Sequence, residues 1–146
     1  MFELRIVRER RQSYGPLPVF RCSADVWAVF RAHFDAADRE QCLLLLLNQK
    51  NRPIRFHVVS IGSLTASLLH PREVIKAIVL ANAAAVILMH GHPSSGDPTP
   101  SSDDLQTSRR LKALMELLGV KFLDSIVFGD GQFISLADDG YLQEGR

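Results

Sequence analysis

Two short, wholly apolar runs constrain the fold of this 146-residue chain more than any other feature. They are the five leucines Leu43–Leu47 and the segment Ala83–Met89. Each has the length of a β-strand, and both are far shorter than the roughly 18–20 apolar residues of a membrane-spanning helix. A strand that is apolar on both faces has to be covered on both faces. The runs therefore predict a sheet that is buried between other layers.

The segments around these runs show helical and strand patterns in alternation. Apolar residues at helical spacing predict a first helix from an N-cap at Ser23 to about Phe34. Pro71 stands at the favoured first position of a second helix, and Gly119 is at the left-handed stop of a third. Strands are predicted over Gln41–Leu47, Ile54–Ile61, Ala84–Met89, Val120–Phe128 and Gln132–Leu136, with another at Phe2, Leu4 and Ile6.

The resulting order of elements, β, α, ββ, α, β, α, ββ, predicts the fold class. It is an α/β protein, a single-domain α-β-α sandwich around a mixed central sheet. Residues 1–22 are predicted to be a lead-in that holds the first strand and a basic segment. Residues 23–146 are predicted to form the domain itself, and the sequence contains no internal repeat.

Composition excludes several classes of protein. The chain has 17 Lys and Arg against 16 Asp and Glu, whereas nucleic-acid binding normally requires a clear excess of basic residues. Cys22 and Cys42 are too few for a disulfide scaffold and lack the CxxC spacing of a redox or zinc site. The N-terminal residues lack the apolar stretch of a signal peptide. We therefore expect a cytoplasmic protein that does not enter a membrane.

The polar stretch from His90 to Asp104 carries the chemistry. His90 and His92 are two residues apart at the end of a predicted strand, so their side chains project to the same side. A carboxylate from the start of the next helix would complete a set of three ligands. Histidine nitrogen with carboxylate oxygen suits zinc, and three ligands leave a fourth position for water. The stretch therefore predicts a catalytic zinc site.

The same residues also have a purely structural interpretation. Ser101-x-x-Asp104 before an apolar helix is a capping box, in which the serine oxygen caps the helix and the acid neutralises its positive end. A His-x-His pair is common in proteins that bind no metal. The sequence pattern by itself leaves both interpretations open.

These residues resemble the JAMM signature, which is His-x-His, a seven-residue spacer, and Ser-x-x-Asp. The closest resemblance is to the RadC-like branch of the MPN/JAB metalloprotease-fold family, whose order of elements is similar to that of the cytidine deaminases. It extends over roughly residues 23–142. The other segments that carry it are Asp38-Arg39-Glu40, Asn51-Arg52, His70–Val74, Asn82–Ala85, Arg109–Leu111, Gly129–Gly131 and Ser135-Leu136.

The resemblance implies a zinc-dependent hydrolase of peptide or isopeptide bonds, with a peptide or protein as substrate. His90, His92 and Asp104 match the metal ligands of the family. Glu40 matches the upstream glutamate that moves the proton of the attacking water. Ser101 matches the serine that helps to hold the oxyanion of the tetrahedral intermediate.

One departure from the family pattern affects the choice of the third ligand. The spacer between His92 and Ser101 has eight residues instead of seven. Counted from His92 the ligand falls on Asp103, and counted from Ser101 it falls on Asp104. Leu105 and Arg109–Leu111 in the following helix have the same spacing from Asp104 as in the family pattern. A loop absorbs an extra residue more easily than a helix shifts its register. Asp104 is therefore predicted, with Asp103 as the fallback and Asp97 as a weaker rival.

Other metal and catalytic classes lack their motifs. HExxH is absent, and so are the HxE and PCxxC motifs of the zinc deaminases. A non-catalytic interaction module with the same fold is a remaining hypothesis. Homodimer formation, with the N-terminal strand pairing with a partner chain, is left open.

A DNA-associated role is the second hypothesis, because RadC-like proteins carry a label of DNA repair. Arg8, Arg10 and Arg11 form a small basic cluster that would serve such a role. Longer members of the branch have an N-terminal helical segment, which we expect this chain to be too short to hold.

Overall fold

The computed structural model describes residues 17–62, 69–92 and 96–143. The strand predicted at Phe2, Leu4 and Ile6 lies outside the described residues. No helix in the described ranges is both long enough and apolar enough to cross a bilayer. In chain order the elements are α1 (Ser23–Asp35), β1 (Gln41–Leu47), β2 (Pro53–Ile61), α2 (Pro71–Ala81), β3 (Ala85–Gly91), α3 (Ser102–Leu118), β4 (Lys121–Gly129) and β5 (Gln132–Ser135).

The strands of the described part of the chain form one mixed sheet in the order β2-β1-β3-β4-β5. Strand β1 is antiparallel to both β2 and β3, whereas β3 and β4 are parallel and β4 and β5 are antiparallel. Helix α1 packs on one face, and α2 and α3 pack on the other. The predicted α/β fold with a mixed central sheet is confirmed.

The five leucines of β1 show why the sheet needs both layers. Leu43, Leu45 and Leu47 pack with α1, while Leu44 and Leu46 pack with α2 and α3. Each of the five is at most 2% exposed. Alternation of side chains along a strand sends successive leucines to opposite faces, so this run could be buried only between two layers.

The start of α1 differs from the prediction. The N-cap is Cys22, without a side-chain cap, and Ser23 is the first helical residue. The Ser23 hydroxyl instead donates a hydrogen bond to the carboxylate of Asp138, at 2.6 Å. Just before the helix, the Arg21 N–H donates a hydrogen bond to the Asp25 carboxylate, at 2.9 Å. The Ser23 hydroxyl, which was predicted to cap the helix, thus bonds a residue 115 positions away in the chain instead.

Helix α3 is the crossover between the parallel strands β3 and β4. A parallel pair requires such a connection, because the chain must return to the starting edge of the sheet. The N-terminus of α3 therefore lies above the carboxyl ends of β3 and β4. Ligand sites of open α/β sheets are found at this edge.

Gly91, the residue between the two histidines, makes room for Phe34 of α1. A Cβ added at Gly91 would overlap Phe34 Cδ1 and lie 3.2 Å from Cε1. Phe34 is buried and stacks on Phe128, with ring centroids 4.3 Å apart, so its ring has little space to move aside. The middle position of the His-x-His pair therefore requires glycine for reasons of packing.

We expect Gly91→Ala to destabilise the fold by about 1–3 kcal/mol, the usual cost of overpacking a core. The measurement is urea unfolding of the wild type, Gly91→Ala, Phe34→Leu and the double variant. Because Phe34→Leu removes the ring that the new methyl group meets, the double variant should be more stable than the sum of the single effects by about 1 kcal/mol. Strictly additive costs would contradict this account.

A buried carboxylate holds β5 and the turn after it to β4. Asp124 accepts hydrogen bonds from the Ser125 N–H at 2.7 Å, the Ala137 N–H at 2.9 Å and the Ser135 hydroxyl at 2.6 Å. Burial raises the pKa of Asp124 above its usual value, although these three hydrogen bonds act in the opposite direction. The folded protein therefore binds a proton at Asp124 more tightly than the unfolded chain does.

This shift predicts the sign of a pH effect. A carboxyl group with a raised pKa contributes stability at low pH that is lost as the pH rises through the folded-state pKa. As the pH rises above about 4, the usual pKa of an aspartate, the wild type should lose stability relative to Asp124→Asn, which cannot titrate. Urea unfolding at each pH measures the difference between the two proteins. Parallel pH profiles would show that the shift is absent.

Candidate metal centre

Three side chains converge above the carboxyl end of β3. One ligand atom from each of His90, His92 and Asp104 lies within 4.8 Å of the others, and all three residues are buried. His90 Nδ1 is 2.7 Å from Asp104 Oδ1, and His92 Nε2 is 3.0 Å from Asp104 Oδ2. Each carboxylate oxygen therefore faces one imidazole.

The local structure explains this convergence. His90 and Gly91 are the last residues of β3, and His92 continues the extended chain, so the two imidazoles stay on one side of the strand. Asp104 is in the first turn of α3. The structure brings Asp104 to the histidines and leaves Asp103, the fallback, outside this group of three.

The capping box and the histidine cluster share one carboxylate. Asp104 Oδ2 accepts the Ser101 N–H at 2.8 Å, and Ser101 Oγ accepts the Asp104 N–H at 3.1 Å. Both halves of the box are present. The structural and the metal-site interpretations of Ser101-x-x-Asp104 thus do not compete, because the cap fixes the carboxylate in the position where it meets the imidazoles.

His92 is held in one tautomer by the loop that follows it. Its Nδ1 is 3.0 Å from the carbonyl oxygen of Asp97, and since a carbonyl can only accept, Nδ1 carries the hydrogen. This leaves Nε2 as the atom that faces Asp104. The Asp97 carboxylate accepts hydrogen bonds from the N–H and hydroxyl of Thr99, which places it in a turn.

Gly129 of β4 packs against the segment Gly96–Pro98 of this loop. A Cβ at Gly129 would lie 2.7 Å from the Gly96 carbonyl oxygen and 2.9 Å from the nitrogen of Pro98. The loop can therefore approach β4 closely only because residue 129 is glycine. The His92 N–H also donates to the Phe128 carbonyl at 2.9 Å, so the same end of β4 holds both the loop and the histidine.

His90 supplies the observation that tests whether the cluster fits a metal ion. Its imidazole is only 4% exposed, and neither ring nitrogen has a hydrogen-bond partner among the described residues. The 2.7 Å contact with Asp104 lacks the direction of a hydrogen bond. Buried polar atoms without partners are rare in proteins, and an absent ion is one explanation for them. Two imidazoles and one carboxylate are a donor set that suits zinc.

The charges in the cluster are strongly coupled. Burial acts to raise the pKa of Asp104, but the adjacent imidazoles of His90 and His92 outweigh it and hold that pKa well below its usual range. The carboxylate in turn raises the pKa of His92, burial opposes this rise, and the negative charge of Glu40 adds to it. Asp104 is therefore an anion at neutral pH, the form that a metal ion requires of a carboxylate ligand.

The remaining predicted residues flank this cluster. Glu40 is half-buried at the residue before β1, and its carbonyl accepts the Gly62 N–H at 2.7 Å. Its charge acts on His92, although its carboxylate is outside the group of three ligands. Ser101 is exposed at the N-cap of α3.

Comparison with known proteins agrees with this structure. A sequence model of the RadC-like JAB domain matches residues 20–141. The chain belongs to the RadC-like JAB domain family. The match includes every helix and strand described above, and it confirms the resemblance identified from the sequence.

Curated relatives of this RadC-like JAB domain carry the name UPF0758 protein. The relative from Syntrophotalea carbinolica is 43% identical over 145 residues, which cover 96% of this chain and 63% of the relative. The relative from Methanosarcina acetivorans is 43% identical over 119 residues, or 82% and 52% of the two chains. The relative from Pelobacter propionicus is 50% identical over 112 residues, which cover 75% of this chain and 48% of the relative. The chain thus spans between 48% and 63% of the length of these relatives.

The residues of the RadC-like JAB domain that support the ligands were not predicted from the sequence. The Asp97 carbonyl and Gly129 act through the backbone, so no side-chain pattern marks them. Behind Asp104, the Ser108 hydroxyl donates to the Asp104 carbonyl at 2.7 Å and lies 2.8 Å from the Ser125 hydroxyl. The spacing of four residues between Asp104 and Ser108 is visible in the sequence, but Ser125 is 17 residues further on and has no such signal.

We expect zinc to bind the metal-stripped protein with one-to-one stoichiometry, and Asp104→Ala to weaken that binding by more than about 100-fold. The reason is that the substitution removes a ligand, while loss of an outer partner alone costs 10–100-fold. Calorimetric titration measures both proteins, with Asp103→Ala as the matched control one residue away. Equal losses in the two variants, or a loss only in Asp103→Ala, would contradict the register that the structure shows.

Proposed function

We propose that this domain is a zinc-dependent hydrolase of peptide or isopeptide bonds. The observation that carries the proposal is the buried cluster of His90, His92 and Asp104, in which neither nitrogen of His90 has a hydrogen-bond partner within the described part of the chain. These three residues would hold the metal ion. Bound by three protein ligands, zinc leaves a position for water and lowers the pKa of that water to about 7.

Glu40 is proposed as the group that moves the proton. Gln41 pairs with Gly91, which places the backbone of Glu40 next to the histidine end of β3. The charge of Glu40 acts on His92, and Glu40 is not one of the three ligands. A carboxylate in that place can take the proton from the attacking water and later give it to the leaving amine. The hydrogen bond from the Gly62 N–H fixes the backbone of Glu40 while its half-buried side chain stays accessible.

Ser101 is proposed as a donor to the oxygen of the scissile carbonyl. Its Oγ already accepts the Asp104 N–H, which uses a lone pair and leaves the hydroxyl hydrogen available. The residue is exposed at the N-cap of α3, next to the turn that carries Asp104. A hydroxyl donor here would meet the negative charge that develops on the carbonyl oxygen during attack.

A DNA-associated role has less support. The cluster of Arg8, Arg10 and Arg11 on which it depends lies outside the described residues. The names of the relatives state no activity. The substrate that we propose is therefore a peptide or protein chain.

We expect Glu40→Gln to lower the rate of hydrolysis by about 10²- to 10⁴-fold, the usual contribution of a general acid–base group. Zinc affinity should stay at the wild-type level, because glutamine keeps the size of the side chain and no ligand is removed. The assay uses zinc-loaded protein with fluorogenic peptides and an isopeptide-linked substrate. Asp38→Asn, which neutralises an exposed carboxylate two residues away, is the matched control and should retain wild-type activity.

Equal hydrolysis by the wild type and Glu40→Gln would contradict the proposed role of Glu40. A wild type that binds zinc and cleaves none of the substrates would favour the non-catalytic interaction module.

A further inference from the structure

Two buried hydroxyl groups form a bridge between α3 and β4 directly behind the candidate metal centre. Ser108 Oγ is 2.7 Å from the carbonyl oxygen of Asp104 and 2.8 Å from Ser125 Oγ. Ser108 is fully buried, and Ser125 is 2% exposed. Neither residue belongs to the group of possible ligands.

The direction of this bridge follows from its chemistry. The Asp104 carbonyl can only accept, so it takes the single hydroxyl hydrogen of Ser108. The contact between the two serines must then use the hydrogen of Ser125. The hydrogen bonds therefore run in one direction, from Ser125 to Ser108 to the backbone of Asp104.

The bridge connects the two elements that carry the ligands. Ser125 is on β4 and pairs with Leu88 of β3. Leu88 is two residues before the candidate ligand His90. Ser108 is one turn after Asp104 on α3. The position of the carboxylate relative to the imidazoles is thus fixed through β4, which contributes no ligand to the group of three.

Apolar packing alone would not fix this position as closely. Contacts such as those of Leu111 and Met115 hold α3 on the sheet, but hydrophobic contacts have no preferred direction. A hydrogen bond of 2.7 Å depends steeply on distance and angle, and ligand sites need positions accurate to about 0.5 Å. The hydrogen bond from Ser108 to the carbonyl of Asp104 attaches Ser108 to the first turn of α3, which carries the candidate ligand.

We infer that Ser108 and Ser125 are positioning residues, which set the first turn of α3 on β4 so that the Asp104 carboxylate faces both His90 and His92. This inference rests on the proposed metal site. It assigns the two serines a role in metal affinity and metal geometry beyond their contribution to folding.

The test compares Ser108→Ala and Ser125→Ala with the wild type. Metal affinity is measured by competition with a chromophoric chelator, and the geometry of the site is measured by the visible absorption of the protein loaded with cobalt(II). We expect each substitution to weaken metal binding by about 10–100-fold, as for other groups that orient ligands, and to change the cobalt spectrum. The double variant should lose about as much metal affinity as the single variant with the larger loss, because the two hydroxyls act as one chain.

Thr107→Val is the matched control. Thr107 is fully buried in the same turn of α3, and its hydroxyl has no hydrogen-bond partner among the described residues. Removing it takes away a buried hydroxyl without breaking the bridge, so metal affinity and the cobalt spectrum should stay at their wild-type values. Ser108→Thr keeps a hydroxyl that can bond the carbonyl four residues earlier, and it should restore most of the affinity.

The possible results separate this inference from the proposed function. A wild type that binds no metal overturns both. A wild type that binds metal, with unchanged affinity and cobalt spectrum in Ser125→Ala and Ser108→Ala, overturns the positioning role and leaves the proposed metal site intact. If Ser108→Ala does not fold, Ser125→Ala decides the question alone, because it breaks the bridge from the strand and leaves α3 unaltered.

Discussion

The parallel pairing of β3 with β4 is the constraint on which the rest of the site depends. Because a parallel neighbour can be reached only by a crossover, α3 has to begin at the edge where β3 ends. The histidines at the end of β3 and the acid in the first turn of α3 therefore meet through topology, although Asp104 is 12 positions after His92 in the chain. Strand β4 then holds the loop and the helix, through Gly129 and Ser125.

The Asp104 carboxylate has two functions that reinforce each other. As part of the capping box it completes the hydrogen bonding of the first turn of α3, and as a neighbour of His90 and His92 it forms the cluster. In a capping box the two hydrogen bonds between the N-cap residue and the third helical residue fix both side chains. Because the candidate ligand Asp104 is also the capping carboxylate, the cap holds it in place, and no additional structural element is needed.

Much of the fold could be predicted from the sequence, because its signals are local. The bounds of β1 match the prediction, since the polar residues on both sides of the leucine run mark where the buried segment ends. Pro71 and Gly119 mark helix ends through backbone conformation, and the structure places both there. Ser23 shows the limit: its hydroxyl bonds Asp138, a partner that only the tertiary fold brings close. Ser125 escaped prediction for the same reason, whereas the Asp97 carbonyl is close to His92 in the sequence but acts through the backbone, which no side-chain pattern marks.

Two contacts of the segment Gly96–Pro98 hold the connection between the histidines and α3 in place. The Gly96 N–H donates to the His92 carbonyl at 3.2 Å, and the segment from Gly96 to Pro98 rests on Gly129. These anchors and the capping box set the positions of the ligands, so the eight-residue spacer is compatible with a compact cluster. A search pattern that demands a fixed spacer would pass over this chain, whereas one that requires glycine at the end of the following strand and an acid at the third position of the helix would retrieve it.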